Sequence, residues 1–186
     1  KLEMLKYCRL IFVCVPTPMK SNGECYLGMV EDAISNVRKY INEEETFIVL
    51  RSTVPPGTSD NLNTFFMPEF LTEKNYENDF KECSDWIFGL TKDENRNKLF
   101  KQYINDVINQ AKKNESIDSN TIHFINTKEA EMMKYFRNIS LAVKVGVCNE
   151  IESYCSKMNI DYNIVSKLGC LDKRITSSHT QVPGHD

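Results

Sequence analysis

The stretch Arg9-Leu10-Ile11-Phe12-Val13-Cys14-Val15 is apolar after its first residue, with no polar alternation, and it stops at Pro16-Thr17-Pro18. Such a run predicts a strand covered on both faces, as in a parallel sheet. Residues 28–42 follow, with Met29, Val30, Ala33, Ile34, Val37, Tyr40 and Ile41 at helical spacing. A second β-rich run, Thr46-Phe47-Ile48-Val49-Leu50-Arg51-Ser52-Thr53, is cut off by Pro55-Pro56-Gly57. Strand, helix and strand in that order form a βαβ unit, which implies a parallel sheet.

The alternation continues outward. Residues 58–65 predict a helix, Phe66-Met67 a short strand, and residues 68–80 mostly loop with room for a helical turn. A strand at 85–90, a helix over 92–113 and a strand at 121–125 complete an α/β pattern. Residues 127–158 differ: they hold no proline and one glycine, Gly146, in a run far longer than the mean helix of about 12 residues. Thr127 with Glu131 reads as a start signal, with Lys128-Glu129 supplying charge in the first turn. From Ile139 to Cys148 this helix is apolar on nearly every side, which predicts burial all round, between two domains or two subunits. A short helix is expected over 162–168, then loop. The run opens on a strand with no preceding βα partner and closes on a loop, the pattern expected of an internal piece of a larger protein.

Composition narrows the function. The 186 residues carry 26 acidic and 23 basic side chains, a net charge of −3, which argues against a nucleic-acid binder with a strongly basic face. A 41% hydrophobic content suffices for a packed core. No apolar run approaches the roughly 20 residues that span a bilayer, and no signal-peptide pattern is visible, so no membrane partner is expected. Seven cysteines without a CxxC pair or a nearby His at zinc spacing read as reduced, mostly buried thiols in a cytoplasmic protein, with no metal site. No two of the seven glycines stand one residue apart, so a GxGxxG fingerprint is absent.

Five constellations have chemical potential, each with a plain structural alternative. Val15, Pro16, Thr17 and Pro18 stand at the carboxyl end of a parallel strand, where open α/β sheets bind ligands, or simply stop it. Ser52, Thr53 and Val54, with the helix start behind Gly57, are placed to meet a phosphate or ribose. Pro68-Glu69-Phe70-Leu71-Thr72-Glu73 sets two carboxylates around two large apolar residues; it is either a sugar-binding and water-activating loop or a solvated acidic one. Lys134 and Asn138, one helical turn apart, share a face that suits an oxyanion, or hold a snorkelling Lys and its neighbour. Arg174, in Asp172-Lys173-Arg174-Ile175, offers a fork for phosphate or sugar hydroxyls, or is solvated. His179 and His185 read as exposed histidines and not ligands.

Together these residues resemble the UDP-glucose/GDP-mannose dehydrogenase family. The resemblance runs through residues 12–18, 52–57, PEFLTE at 68–73, Ala130-Glu131 with Lys134 and Asn138, Asn149-Glu150, residues 172–175 and the closing residues 179–184, the last most similar to the UDP-glucose branch. It implies that residues 1–126 are the second part of a Rossmann-like NAD-binding domain with a parallel sheet. Residues 127–186 would be a long central helix and the start of a helical dimerisation domain. The activity implied is a two-step, NAD-dependent oxidation of a nucleotide sugar, UDP-glucose foremost, through an aldehyde and a cysteine thioester to a uronate. Thr53 would hydrogen-bond a water or hydroxyl near C6, Glu73 would activate water near the nicotinamide, and Lys134 and Asn138 would stabilise oxyanions. Glu69, Phe70 and Leu71 would hold the sugar nucleotide, and Arg174 would reach substrate on the partner of a homodimer built on the long helix. Val15, Pro16, Thr17, Pro18, Ser52, Thr53 and Val54 would line the cofactor.

The departures are the Gly-rich NAD turn and the Gly-Gly-flanked nucleophilic cysteine, neither of which stands in these residues; on its own the piece is expected not to turn over. Two other readings remain. The 6-phosphogluconate and 3-hydroxyacid dehydrogenases also place Lys and Asn four apart but lack PEFLxE. A non-catalytic nucleotide-binding or helical dimerisation module is the second.

Overall fold

The apolar runs of the sequence become the strands of one five-stranded sheet in the computed structural model, which describes residues 2–182. After a 3-10 helix at Leu2–Tyr7 come β1 (Leu10–Val13), α1 (Gly28–Arg38), β2 (Phe47–Leu50), α2 (Thr58–Asn61) and β3 (Phe65–Phe66). There follow α3 (Tyr76–Lys81), β4 (Asp85–Leu90), α4 (Glu94–Lys113), β5 (Thr121–Asn126), α5 (Thr127–Lys157) and α6 (Tyr162–Gly169). The chain divides into two compact units, residues 1–135 and 136–186, the division falling inside α5.

The sheet order is β1-β2-β3-β4-β5. β1, β2 and β3 run parallel, as do β4 and β5, so the α/β fold with a mostly parallel sheet is observed as expected. One pairing differs: β3 and β4 are antiparallel, through Phe66 and Gly89. The link between them holds only the six-residue α3, and antiparallel neighbours need no crossover. β3 also begins one residue earlier than expected, because Phe65 and Phe66 alternate between two cores.

On one face, Phe47, Val49, Phe65, Trp86 and Phe88 pack against Phe100, Ile104 and Ile108 of α4. Phe65 stacks on Phe100 at 3.8 Å, and Phe47 meets Phe65 and Phe100 edge-on at 5.7 and 5.3 Å. On the other face, Val13, Ile48, Leu50 and Phe66 meet Val30 and Ile34 of α1 and Ala130 of α5. Gly89 makes the close approach of α5 possible, since a Cβ there would lie 2.9 Å from the Thr127 Cα and 3.2 Å from the Ala130 Cβ.

The start of α5 is built differently from its expected signal. Asn126 and Glu129 form a reciprocal capping box: the Glu129 N–H donates to Asn126 Oδ1 at 2.9 Å and the Asn126 N–H to Glu129 Oε2 at 3.2 Å. Thr127 donates instead to Asp60, and Glu131 is directed elsewhere.

Within the second unit, the apolar turns of α5 are not buried in this chain. Ile139, Val143 and Val147 are 54%, 59% and 52% exposed. The cysteines also differ from expectation: all seven are free, but only Cys155 is buried and Cys14 is exposed. His179 is half-buried, not exposed, while Pro183, Gly184 and His185 lie outside the described residues. No helix among the described residues is long and apolar enough to cross a membrane.

Candidate active site

Parallel pairing sets the carboxyl ends of β1 and β2 side by side. The Arg51 N–H continues the ladder to the Val13 carbonyl at 2.9 Å. Beyond it, side chains do the tying: Ser52 Oγ donates to the Val15 carbonyl at 2.6 Å, and Thr17 Oγ1 to the Thr53 carbonyl at 2.8 Å. Four of the expected site residues thus form one cross-linked rim, with Pro16 and Pro18 exposed on its loop. The Thr53 hydroxyl is half-buried, and no hydrogen bond engages it among the described residues. It faces a surface cleft of about 410 Å³ lined by Thr17, Met19, Gly23, Cys25, Thr53, Pro55 and Tyr135. Val54 points away, 1% exposed, into the core shared with α1 and α5.

The turn after Thr53 is arrested by a residue from another element. Gly57 takes φ +98, a conformation that disfavours any side chain, and is the N-cap of the one-turn α2. The free N–H groups of this helix start are filled from within: Gly57 N–H donates to Glu131 Oε2 at 2.5 Å and Ser59 N–H to Oε1 at 2.8 Å. Glu131 is fully buried. The helix start behind Gly57 is therefore not open to a phosphate or ribose, because an internal carboxylate already satisfies it.

One turn further along α5, Lys134 is 6% exposed and its Nζ donates to the Arg51 carbonyl at 2.8 Å. Burial lowers its pKa below the ordinary lysine value; Arg51 adds to the lowering, while the nearby Glu69 carboxylate and Cys14 oppose it. That Glu69 acts on this ammonium puts the first carboxylate of PEFLTE within its electrostatic reach. Glu69, Phe70 and Leu71 line a second, small cavity of about 50 Å³ with Arg51, Phe80 and Trp86. The loop is anchored behind them, Thr72 donating through N–H and Oγ1 to Asp79 at 2.8 and 2.6 Å, which holds the Asp79 carboxyl below its usual range. Glu73 is exposed, and no hydrogen bond or ion pair engages it among the described residues.

The remaining expected residues belong to the second unit. Asn138 is exposed on α5. Arg174 is exposed and forked onto Asp172, with Nε–Oδ1 at 3.0 Å and the terminal nitrogen to Oδ2 at 2.5 Å. Sequence reasoning passed over Arg51, whose guanidinium lies 5.6 Å over the Phe12 ring with Nε buried and unpartnered among the described residues. A cation at the carboxyl end of a parallel strand was the available signal. It also passed over the Asp79 anchor, which only the folded loop brings to Thr72. Among the described residues, no group of three His, Cys, Asp or Glu side chains is placed to hold a metal.

A mostly parallel α/β sheet with a cross-linked, hydroxyl-bearing rim at its strand ends is the arrangement of a dinucleotide-binding domain. Residues 2–108 match the NAD binding domain, and residues 128–185 the central domain, of the UDP-glucose/GDP-mannose dehydrogenase family, and the chain belongs to that family. It is 33% identical over 184 residues to UDP-glucose 6-dehydrogenase of Rickettsia bellii, covering 93% of this chain and 40% of that protein. In structure it is similar to a UDP-glucose dehydrogenase of Pyrobaculum islandicum, with TM-score 0.79 and 26% identity, covering 97% of this chain and 43% of the other. It is also similar to a GDP-mannose dehydrogenase of Pseudomonas aeruginosa, with TM-score 0.75 and 26% identity, covering 92% and 41%. The chain spans about two fifths of the length of the relatives it matches.

NAD is the cofactor of the family's first domain. The rim fits its uncharged part: the 410 Å³ cleft has no charged side chain in its lining and offers the Thr53 hydroxyl. The α2 turn offers the pyrophosphate nothing, since Glu131 holds its N–H groups.

Proposed function

We propose that the protein to which these residues belong oxidises the C6 alcohol of a nucleotide sugar, UDP-glucose foremost, to the carboxylate. The balanced reaction takes one alcohol, two NAD⁺ and one water to one carboxylate, two NADH and three protons. NAD supplies the hydride acceptor. Val15, Pro16, Thr17, Pro18, Ser52 and Thr53 form the cofactor rim, the first, third, fifth and sixth through the cross-links that stiffen it, and Val54, turned into the core, backs it. Residues 1–126 serve as part of the NAD domain and residues 127–186 as central and dimerisation helices.

The observation that carries this reading is Lys134: an ammonium 6% exposed, tied to the Arg51 carbonyl two residues before Thr53, and under the field of Glu69. A desolvated cation held in place stabilises an alkoxide or a tetrahedral oxyanion far better than one in water. Thr53 contributes a free hydroxyl for the reacting oxygen or a water. Glu69, Phe70 and Leu71 hold the sugar nucleotide, Glu73 activates water, and Asn138 adds an amide to the oxyanion set. A cysteine other than the seven of this chain would add to the aldehyde as a thiohemiacetal, whose hydride goes to the second NAD⁺ and whose proton is released, and water hydrolyses the resulting thioester to the carboxylate and the free thiol.

The apolar turns of α5 support a homodimer, in which a partner's helix covers them and Arg174 reaches the partner's substrate. The seven free thiols fit a reducing compartment, and the cytoplasm is the one we assign.

Full-length protein mixed with NAD⁺ and UDP-glucose tests the reading. Two NADH per UDP-glucose, with UDP-glucuronate identified by mass, is the expected result. One NADH per sugar points to a simple alcohol dehydrogenase of the 6-phosphogluconate type, and none with UDP-glucose or GDP-mannose refutes the reading.

A further inference from the structure

Three side chains on one face of α5 meet the segment after β2 in reverse order. Thr127 donates to Asp60, Glu131 accepts from Ser59 and Gly57, and Lys134 donates to the Arg51 carbonyl. Their spacing of four and then three residues is that of a single helical face. Thr53 lies between the last two attachments, two residues beyond Arg51 and four before Gly57.

Glu131 is the unusual member. It is a fully buried carboxylate with no ion pair among the described residues, satisfied by two main-chain N–H groups. The N-cap residue of α2, Gly57, has no side chain with which to cap the helix. The cap arrives instead from 74 residues further along the chain. A Ser or Asp in place of Gly57 would accept from an N–H such as that of Ser59 but not from its own, and the φ of +98 disfavours either. A carboxylate delivered from α5 does something a local cap does not: it fixes the turn bearing Thr53 to the helix bearing Lys134.

We propose that Glu131 is a positioning residue for the reacting centre, an internal carboxylate that sets the Thr53 hydroxyl against the Lys134 ammonium. The inference rests on the dehydrogenase reading above. Glu131 touches no substrate. With it gone, the segment keeps its attachments at Arg51, at the Thr53 carbonyl and at Asp60 but loses those at Gly57 and Ser59, so the turn that follows Thr53 is no longer fixed to the helix bearing Lys134. A displacement near 1 Å in such a pair costs on the order of 100-fold in rate.

The test uses full-length protein with Glu131→Gln and Glu131→Asp, assayed with NAD⁺ and UDP-glucose. Gln presents one acceptor and an amide N–H₂ that opposes the second main-chain donor; Asp keeps the charge but is one methylene short. We expect kcat of Glu131→Gln to fall about 10- to 100-fold with both KM values within about threefold of wild type, and Glu131→Asp to recover part of kcat. A purely structural role is separated by an Ile108 variant, Val or Ala, chosen to lower the melting temperature equally from the opposite core. That control keeps its kcat. The proposal is overturned if Glu131→Gln loses no more kcat than the matched control, if loss appears only in KM, or if both variants fail to fold. Wild-type protein that makes no NADH overturns the dehydrogenase reading itself, a result separate from any of these.

Discussion

The two parts of α5 have opposite chemistry. In its first turns the buried face is polar except for Ala130: Thr127, Glu131 and Lys134 are 1%, 0% and 6% exposed, and each has a partner on the segment after β2. In the later turns the exposed residues are apolar, with Phe136, Ile139 and Val143 between 54% and 67% exposed. A buried polar group without a partner costs several kcal/mol, so the first set specifies one geometry. Exposed apolar groups specify no geometry until something covers them. One continuous helix thus has a segment completed by its own chain and a segment whose apolar side chains the described residues leave uncovered.

The largest effect is expected where the first segment meets chemistry. Lys134→Met keeps the side-chain volume while removing the charge, and should lower kcat of the full-length enzyme by about 100- to 1,000-fold, the scale of losing one oxyanion donor, with the melting temperature little changed. Equal kcat in the variant would show the ammonium to be structural. The pH profile sharpens this. Burial lowers the Lys134 pKa from 10.5, so the ammonium is lost on the alkaline side before an ordinary lysine would lose it, and kcat falls there. Lys134→Arg, which does not deprotonate in this range, should abolish that limb even at lower absolute activity. For stability the sign is also definite. The unfolded lysine binds its proton more tightly than the folded one, so this group favours folding more as pH rises from the folded pKa towards 10.5.

Next in size is the contact that lets the first segment approach the sheet. Gly89→Ala places a Cβ 2.9 Å from the Thr127 backbone, where no flexible side chain can give way. Overpacking of this kind costs about 1–3 kcal/mol and, because it lifts the segment carrying Glu131 and Lys134, should lower kcat as well. A thermal melt and a kcat on the same sample check both. An unchanged melt would mean that α5 can move without penalty.

How much of this was legible in the residues follows from which contacts are local. The βαβ unit at 9–53 was legible because Leu10–Val13 and Phe47–Leu50 are continuous apolar runs, though only the second is buried on both faces and Phe12 of the first, at the sheet's end, is 42% exposed; the long helix was legible because proline and glycine are almost absent from it. The direction of β4 was not, since Asp85–Leu90 carries the same apolar pattern whichever way it pairs. Lys134 and Glu69 were legible as candidates through the motifs around them. The task of Glu131 was not: its two donors lie 72 and 74 residues away, and they are main-chain groups that no residue type announces. The outward-facing Val143 and Val147 show the converse, an apolar pattern that suggests burial while the described residues leave that surface open.

That surface gives the third prediction. Val143→Asp with Val147→Asp places two charges, one helical turn apart, on residues now 59% and 52% exposed. In an isolated chain, changes at such positions are usually within about ±0.5 kcal/mol. In a dimer joined along α5 they bury charges without partners, so sedimentation should show the full-length protein shifted to monomer while the first unit keeps its fold. Unchanged sedimentation would move the interface off this face.

The smallest effect is expected at Asp172. Its carboxyl is held below its usual range by the Arg174 guanidinium, which forks onto it at 3.0 and 2.5 Å, but the pair is solvated and salt screens it. Asp172→Asn should therefore leave the melting temperature where it is. If Arg174 meets substrate, Arg174→Ala raises the KM for the nucleotide sugar by about tenfold, as expected for a lost charge-assisted hydrogen bond. Asp172→Asn, which keeps the guanidinium and frees its donors, shifts KM by no more than about twofold in the same assay. Equal KM changes in the two variants would instead make the Asp172–Arg174 pair the functional unit, with the carboxylate aiming the fork and not merely occupying it.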